Sequence, residues 1–315
     1  MSVFNDCTNC DIRTVDLICL SRGNTKDIIS FLKRHGVMSD EINCPRCDSR
    51  CKVSYKEMNA RCNKIRTINK TKRSCKHCES LKKGTFFEKT HIPMEKIMTF
   101  IAHWLSRSPP KNRFLMNEVE LSSHSVTDWA SFCRAVLLKW QSINVDQGKI
   151  GGPGKVVEID KAKFGRPDHE GQDAKWLFGG IERTDEKKIF LVPVETPDSS
   201  TLLQIIQEKV QPGTTIISNC FKAYNCLSEE GFTHFTVNNR INFVDPETGA
   251  HTQNIKRLWR EVRAHVPRYG VKRLHFAGYL AEFHFKRAFP KHIHQYHHFF
   301  KTMGILYPPA YAERC

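Results

Sequence analysis

The chain has 315 residues, with 49 Lys and Arg against 33 Asp and Glu and a formal net charge of +16 at pH 7. That length suits about two domains, and no apolar run approaches the ~20 residues of a membrane span. The start, "MSVFNDCTNCDIRT", has neither the basic onset nor the apolar stretch of a secretion signal, so a soluble intracellular protein with no membrane partner is expected.

The basic excess favours a polyanionic partner, because each phosphate neutralised by Lys or Arg releases condensed counterions. Thirteen cysteines, an odd number in a chain without a secretion signal, argue against a disulfide framework and for reduced thiols, some of them holding metal.

In chain order, "NTKDIISFLKRHG" at 24–36 has start signals, apolar Ile28, Ile29, Phe31 and Leu32 and a closing Gly36, which predicts a short amphipathic helix. "HIPMEKIMTFIAHWLSRSPP" predicts a second, with Pro93 in its first turn and Ile97, Ile101, Trp104 and Leu105 on one face. In 111–141 a polar break at Ser122–Ser123 separates two helical patterns. A helix-turn-helix and an ordinary helical hairpin both fit that pattern. "DQGKIGGPGKVV" at 146–157 marks a domain boundary.

Beyond it the periodicity becomes strand-like in "KVVEIDKAKFG", "KWLFGGIER" and "KKIFLVPVE". A Ser-capped helix at 199–210 follows, then a strand at 214–219, a helix around 221–230, the strand "THFTVN", a loop, and a helix from Thr252 to Ala264. Three strands, helix, strand, helix, strand, helix is the order of a ribonuclease-H-like α/β domain. The expected organisation is therefore an N-terminal helix and zinc-ribbon-like DNA-binding region at 1–90, a helical, helix-turn-helix-like region at 91–148, the ribonuclease-H-like domain at 149–290 and a C-terminal tail at 291–315.

Cys44-Pro-Arg-Cys47 and Cys75-Lys-His-Cys78 are two C-x-x-C turns. Each directs two sulfurs to one side, and together they supply the four ligands of a structural zinc. Between them, residues 48–74 carry nine Lys or Arg against two acids. Lys64, Arg66, Lys70, Lys72 and Arg73, with Lys82 and Lys83 just beyond, are the expected DNA-contacting residues, presented on a loop pinned by the metal at both ends. Cys7 and Cys10 form a third pair, and Cys51 and Cys62 lie within the loop; they could complete a second site, but reduced, unliganded thiols are the expected reading. The His-rich run His284, His292, His294, His297 and His298 fits no metal-site spacing and reads as helical surface.

In "VVEID", Glu158 and Asp160 share one face of a strand. An ionised acid among apolar residues is costly to bury, so Asp160 is expected to face a site or a metal.

The runs "EIDKAKFGRP", "WLFGGIERTDEKKIFLVPV", "PGTTIISNCFKAY", "GFTHFTVNNRINFVDPETGAHTQNIKRLWREVR" and "YLAEFHFKRAF" resemble the catalytic domain of Merlin-type transposases, eukaryotic relatives of bacterial ISXO-like insertion-sequence transposases. The N-terminal "CPRC", "SLKKGTFFEKTHIPMEKIM" and "LSSHSVTDWASFCR" are similar to that family too. The resemblance implies a DNA transposase acting in the nucleus on terminal inverted repeats as a homodimer. It also implies three catalytic acids, two Asp and one Glu, holding a pair of Mg²⁺ or Mn²⁺ ions for phosphoryl transfer.

The first acid falls on Asp160, the second on Asn219 and the third on Lys256. An amide brings no charge and an ammonium repels the ion it should bind, so the metal pair is not expected to assemble. Glu158, Asp245, Glu247 and Glu261 are the acids at hand to replace them. The expected protein is a transposase-derived DNA-binding protein without cleavage activity; the alternative is an active transposase with non-standard ligands.

Overall fold

The computed structural model describes residues 7–68, 71–106, 111–145, 148–165, 175–238, 241, 243–267 and 273–310. The chain divides into two units, one of residues 1–140 with 284–315 and the other of 141–283.

The first unit opens with helices α1 (Thr14–Arg22) and α2 (Thr25–Arg34). Asn24 caps α2 by accepting from the Asp27 amide at 2.9 Å, and α2 buries Ile28, Ile29, Phe31 and Leu32 as their spacing predicts. Short strands follow: β1 (Lys52–Ser54), β2 (Asn59–Arg61), β3 (Ile65–Ile68), β4 (Thr71–Ser74) and β5 (Cys78–Ser80). β1, β2 and β5 form one antiparallel sheet, while β3 and β4 pair, among the described residues, with each other alone, in register Arg66 to Arg73 and Thr67 to Lys72. Helix α3 (Met94–Ser106) buries Ile97, Ile101, Trp104 and Leu105. Helix α4 (Asn112–Val119) ends at Glu120 in the left-handed conformation (φ 53°, ψ 52°), and α5 (Ser123–Asn144) follows the turn.

The second unit contains β6 (Ile150–Gly151), β7 (Val156–Phe164), β8 (Lys175–Glu182), β9 (Ile189–Val194), α6 (Ser199–Lys209), β10 (Val210–Gln211), β11 (Thr215–Asn219), a 3-10 turn (Lys222–Ser228), β12 (Thr233–Val237), α7 (Gln253–His265) and, as far as Phe283, α8 (Arg273–Ala288). The cap of α6 is Asp198 rather than a serine, accepting from the Thr201 amide at 2.9 Å. The segment around 221–230, expected to be a helix, makes only the tighter turn.

The main sheet has the order β12-β11-β7-β8-β9, with β7, β8 and β9 antiparallel and β11 parallel to both β7 and β12. Strand alternation separates its two faces. On one, Val157, Ile159, Phe178, Phe190 and Ile216 pack with Leu202 and Ile206 of α6 and with Tyr224. On the other, Ala162, Phe164, Leu177 and Leu191 pack with Ile255, Trp259 and Val262 of α7 and with Phe276 and Leu280 of α8. This unit is thus a mixed α/β layer structure with helices on both faces of its sheet. Glu158 and Asp160 share parity with Ala162 and Phe164, so the sheet aims both acids at the α7 face.

Two glycines in the middle of β8 look unfavourable for a strand. A Cβ on Gly179 would lie 2.8 Å from the Trp259 ring and one on Gly180 2.4 Å from the Phe190 ring, so the missing side chains let both rings lie on the sheet.

The expected C-terminal tail contains helix α9 (His292–Leu306), which belongs to the first unit and buries Tyr296, His297, Phe299, Phe300 and Met303. His292 is exposed and His294 and His298 are half-buried, but His284 and His297 are 6% and 5% exposed, which corrects the helical-surface reading for these two. Their aromatic neighbours in the helices make the faces apolar, a pattern that His spacing alone conceals. No helix among the described residues is long and apolar enough to cross a membrane.

Candidate functional site

The strand register brings the first two positions singled out in the sequence together. Ile217 of β11 lies opposite Glu158 of β7, which sets Asn219, the last residue of β11, beside Asp160. The Asn219 amide donates to Asp160 Oδ1 at 3.2 Å. The Trp259 indole N–H donates to Asp160 Oδ2 at 3.1 Å. Both carboxylate oxygens therefore have a protein donor.

Lys256 lies half-buried on α7, one turn before Trp259, and its charge acts on Asp160. Burial raises the Asp160 carboxyl above its ordinary range, against the Lys161 backbone amide, the Trp259 indole and the charges of Lys256 and Lys161, which favour ionisation. The Lys161 ammonium also stands over the Phe221 ring, 3.2 Å from its centre. Asn219 Oδ1 and the Tyr224 hydroxyl are buried with no hydrogen-bond partner among the described residues, and burial, with the nearby Asp160 charge, pushes the Tyr224 hydroxyl up.

Three of the other acids singled out in the sequence, Glu158, Asp245 and Glu261, are engaged in contacts of their own. Glu158 is fully buried and accepts from Arg183 Nε at 2.7 Å, Asn254 Nδ2 at 2.6 Å and the Ile255 amide at 3.0 Å. The last two groups belong to the first turn of α7, whose Thr252 cap makes no side-chain hydrogen bond to the helix, so Glu158 terminates that helix from the sheet. Asp245 caps its own turn through Thr248 and the Glu247 amide. Glu261 pairs with Arg257 at 3.4 Å.

In the first unit, Cys44, Cys47, Cys62 and Cys75 bring their sulfurs within 4.8 Å of one another. Cys44 and Cys75 are 3.5 Å apart and Cys47 and Cys62 3.3 Å. The Cys47 and Asp48 amides donate back to the Cys44 carbonyl at 3.2 and 2.7 Å, forming the tight turn expected of a C-x-x-C knuckle. A backbone hydrogen bond from Ser49 draws the Cys47 thiol down to about 6, which favours the thiolate that a metal needs.

Cys78 lies outside this group. It is exposed at the start of β5, where it pairs with Arg61. The β2–β5 pairing carries Cys62, next to Arg61, into the place that sequence spacing reserved for Cys78; the Cys62 amide donates to the His77 carbonyl at 2.8 Å. A second group, Cys7, Cys10, His35 and His297, also brings its ligand atoms within 4.8 Å. Two clusters in this chain could therefore bind zinc.

Cys62 and Cys75 flank the β3–β4 hairpin, with the Cys75 amide donating to the Lys64 carbonyl at 2.9 Å. Lys64, Arg66, Lys72 and Arg73 are exposed along it. Lys70 lies outside the described residues. Lys82 is half-buried, and Lys83 pairs with Glu79. An isolated two-stranded ribbon is marginal in water, and this one sets Arg66 directly opposite Arg73. Like charges across a strand pair cost stability; an anionic surface removes that cost.

Sequence reasoning missed three roles: the indole of Trp259 on Asp160, Arg183 as the partner of Glu158, and Cys62 in the thiol group. The Gly-Gly pair inside β8 signals a close approach to the sheet but does not name the ring that makes it.

Residues 141–288 match the model of the ISXO2-like transposase domain. A relative from Haemophilus influenzae, described as an uncharacterized transposase-like protein, is 32% identical over 96 residues, which cover 30% of this chain and 76% of that protein. The chain belongs to the ISXO2-like transposase family.

Proposed function

We propose that this chain is a transposase-derived DNA-binding protein that does not carry out metal-dependent cleavage or strand transfer. One observation carries the reading: the single retained acid, Asp160, has both oxygens engaged by the Asn219 amide and the Trp259 indole, with Lys256 supplying the nearby positive charge. Two divalent ions side by side need several anionic oxygens around them. The Asp160 surroundings instead provide neutral donors and a cation, the inverse of such a site. Unit charges about 4 Å apart interact by about 4 kcal/mol at an effective dielectric of about 20, so exchanging an attractive Glu for Lys256 reverses a term of that order. The residues present do not fit the Mg²⁺ or Mn²⁺ pair.

The sheet order, with three antiparallel strands followed by two parallel ones and helices on both faces, supports a ribonuclease-H-like architecture for the second unit. The quoted motifs support placement on the Merlin side of the family. DNA is the proposed partner, held by the β3–β4 hairpin that the thiol group anchors, and the resemblance supports terminal inverted repeats as target, a homodimer to hold two ends, and a nuclear location. Losing clustered carboxylates need not unfold the domain, since they repel one another when no ion is present; binding can therefore outlast catalysis.

A second reading, an active enzyme with non-standard ligands, has one observation in its favour: Asn219 Oδ1 is a buried oxygen with no hydrogen-bond partner among the described residues. Calorimetric titration of Mn²⁺ into the full chain, beside a cleavage and strand-transfer assay, separates the two. The unchanged chain is expected to show neither Mn²⁺ uptake at this site nor turnover, and Asn219→Asp with Lys256→Glu is expected to restore Mn²⁺ binding. Turnover by the unchanged chain overturns the proposal.

A further inference from the structure

We infer that Cys7, Cys10, His35 and His297 form a second zinc site, which fastens the N-terminal segment to the C-terminal helix α9. The ligand atoms already have the separations of a coordination shell. Cys10 Sγ lies 3.2 Å from His35 Nε2 and 3.4 Å from His297 Nδ1, and Cys7 Sγ lies 3.4 Å from His297 Nδ1. Zn–S and Zn–N bonds of about 2.3 and 2.0 Å at tetrahedral angles put sulfur and nitrogen about 3.5 Å apart. The remaining pairs of ligand atoms lie within 4.8 Å of one another.

The orientation of His35 is fixed for the task. Its Nδ1 is 2.8 Å from the Phe31 carbonyl oxygen, which can only accept, so Nδ1 carries the proton. Nε2 then presents its lone pair toward Cys10, and a backbone carbonyl behind a ligating imidazole is the usual support for a metal-bound histidine. The Cys7 amide donates to the Arg34 carbonyl at 3.3 Å, which fastens the cysteine segment to the end of α2.

The helix that brings His297 is docked tightly on the same spot. His297, Phe300 and Gly304 lie on one face of α9. Phe300 packs edge-on against Phe31 with ring centres 5.0 Å apart, and the rings of His297 and His35 are 5.5 Å apart. A Cβ at Gly304 would come within 2.7 Å of the Gly36 backbone and of the His35 carbonyl, so the helix approaches α2 as closely as glycine permits. This junction buries Cys7, His35 and His297. Two thiolates and two neutral imidazoles around Zn²⁺ carry no net charge, which makes such burial inexpensive, and a mixed S₂N₂ set favours zinc. The sequence interval between Cys10 and His297 is 287 residues, so no spacing motif reveals the site.

The test is zinc content and coordination in the full chain. The unchanged protein is expected to carry about two zinc ions per chain, and Cys10→Ser or His297→Ala about one, while Cys62→Ser removes the other. X-ray absorption at the zinc edge of the unchanged protein needs no variant to fold and is expected to give a mean of about three sulfurs and one nitrogen per zinc, the average of an S₄ and an S₂N₂ site. A single all-sulfur zinc, or zinc content that Cys10→Ser and His297→Ala leave unchanged, overturns the assignment. Neither result depends on whether the chain cleaves DNA.

Discussion

The Asn219 side-chain amide donates to Asp160 Oδ1 at 3.2 Å, across two parallel strands whose register aligns them. With the Trp259 indole on the other oxygen, the carboxylate is held by neutral donors. Both oxygens are thus taken up by protein donors, while burial still works against the charge. Adding a second carboxylate at position 219 would set two like charges side by side and make stability depend on a cation.

Burial dominates the Asp160 titration and raises it, which fixes a pH signature. A carboxyl whose folded value lies above its unfolded value, about 3.9, adds most to stability below that value. Its contribution is lost as pH rises through the folded value. Asp160→Asn removes the titration while keeping a similar shape. The variant is expected to gain in Tm relative to the parent as pH rises above about 4. Thermal melts across that window check it, and a Tm difference independent of pH defeats it.

The basic hairpin makes a separate prediction about DNA. Replacing Arg66 and Arg73 together by Ala is expected to weaken binding to any duplex and to lower the log–log salt slope by about two, one for each phosphate that goes unneutralised. Because the two arginines face each other across the strands, their removal also relieves a like-charge pairing of roughly 0.2–1 kcal/mol. Affinity should therefore fall while Tm holds or rises. Fluorescence anisotropy at several salt concentrations, with parallel melts, measures both.

Much of this architecture was legible because periodicity reports burial directly. The alternation in "VVEID" predicts that Glu158 and Asp160 share a face, and the apolar spacing of α2 and α3 predicts which side chains they bury. What stayed hidden was pairing between distant segments. Cys62 displaces Cys78 through the β2–β5 ladder, and His297 reaches Cys10 only because α9 docks on α2. Nothing in "KWLFGGIER" says that Gly179 lies under Trp259. Local spacing carries no information about which strand or helix will arrive from elsewhere.

Glu158 is the most exacting of the buried groups. Its carboxylate meets Arg183, Asn254 and the α7 backbone at once, with no exposure to water. Glu158→Ala is expected to destabilise the chain by about 3 kcal/mol, the lower part of the range for breaking a buried pair, because Arg183 can partly turn to solvent. The exposed pair Lys188–Glu186 serves as the control, and Glu186→Ala should shift stability by no more than about 0.5 kcal/mol. Urea unfolding of both variants reads the contrast.

The thiol group gives the sharpest opposition between spacing and geometry. Spacing names Cys44, Cys47, Cys75 and Cys78, whereas the fold gathers Cys44, Cys47, Cys62 and Cys75 and leaves Cys78 exposed on β5. A tetrahedral zinc needs all four thiolates, so removing one true ligand weakens it sharply, while changing a bystander does not. Cys62→Ser is expected to lose about one zinc equivalent per chain and to loosen the hairpin that Cys62 and Cys75 flank. Cys78→Ser is expected to keep its zinc and its DNA affinity. Metal analysis of the two purified variants decides, and loss of zinc from Cys78→Ser with retention in Cys62→Ser would return the site to the arrangement that spacing alone suggests.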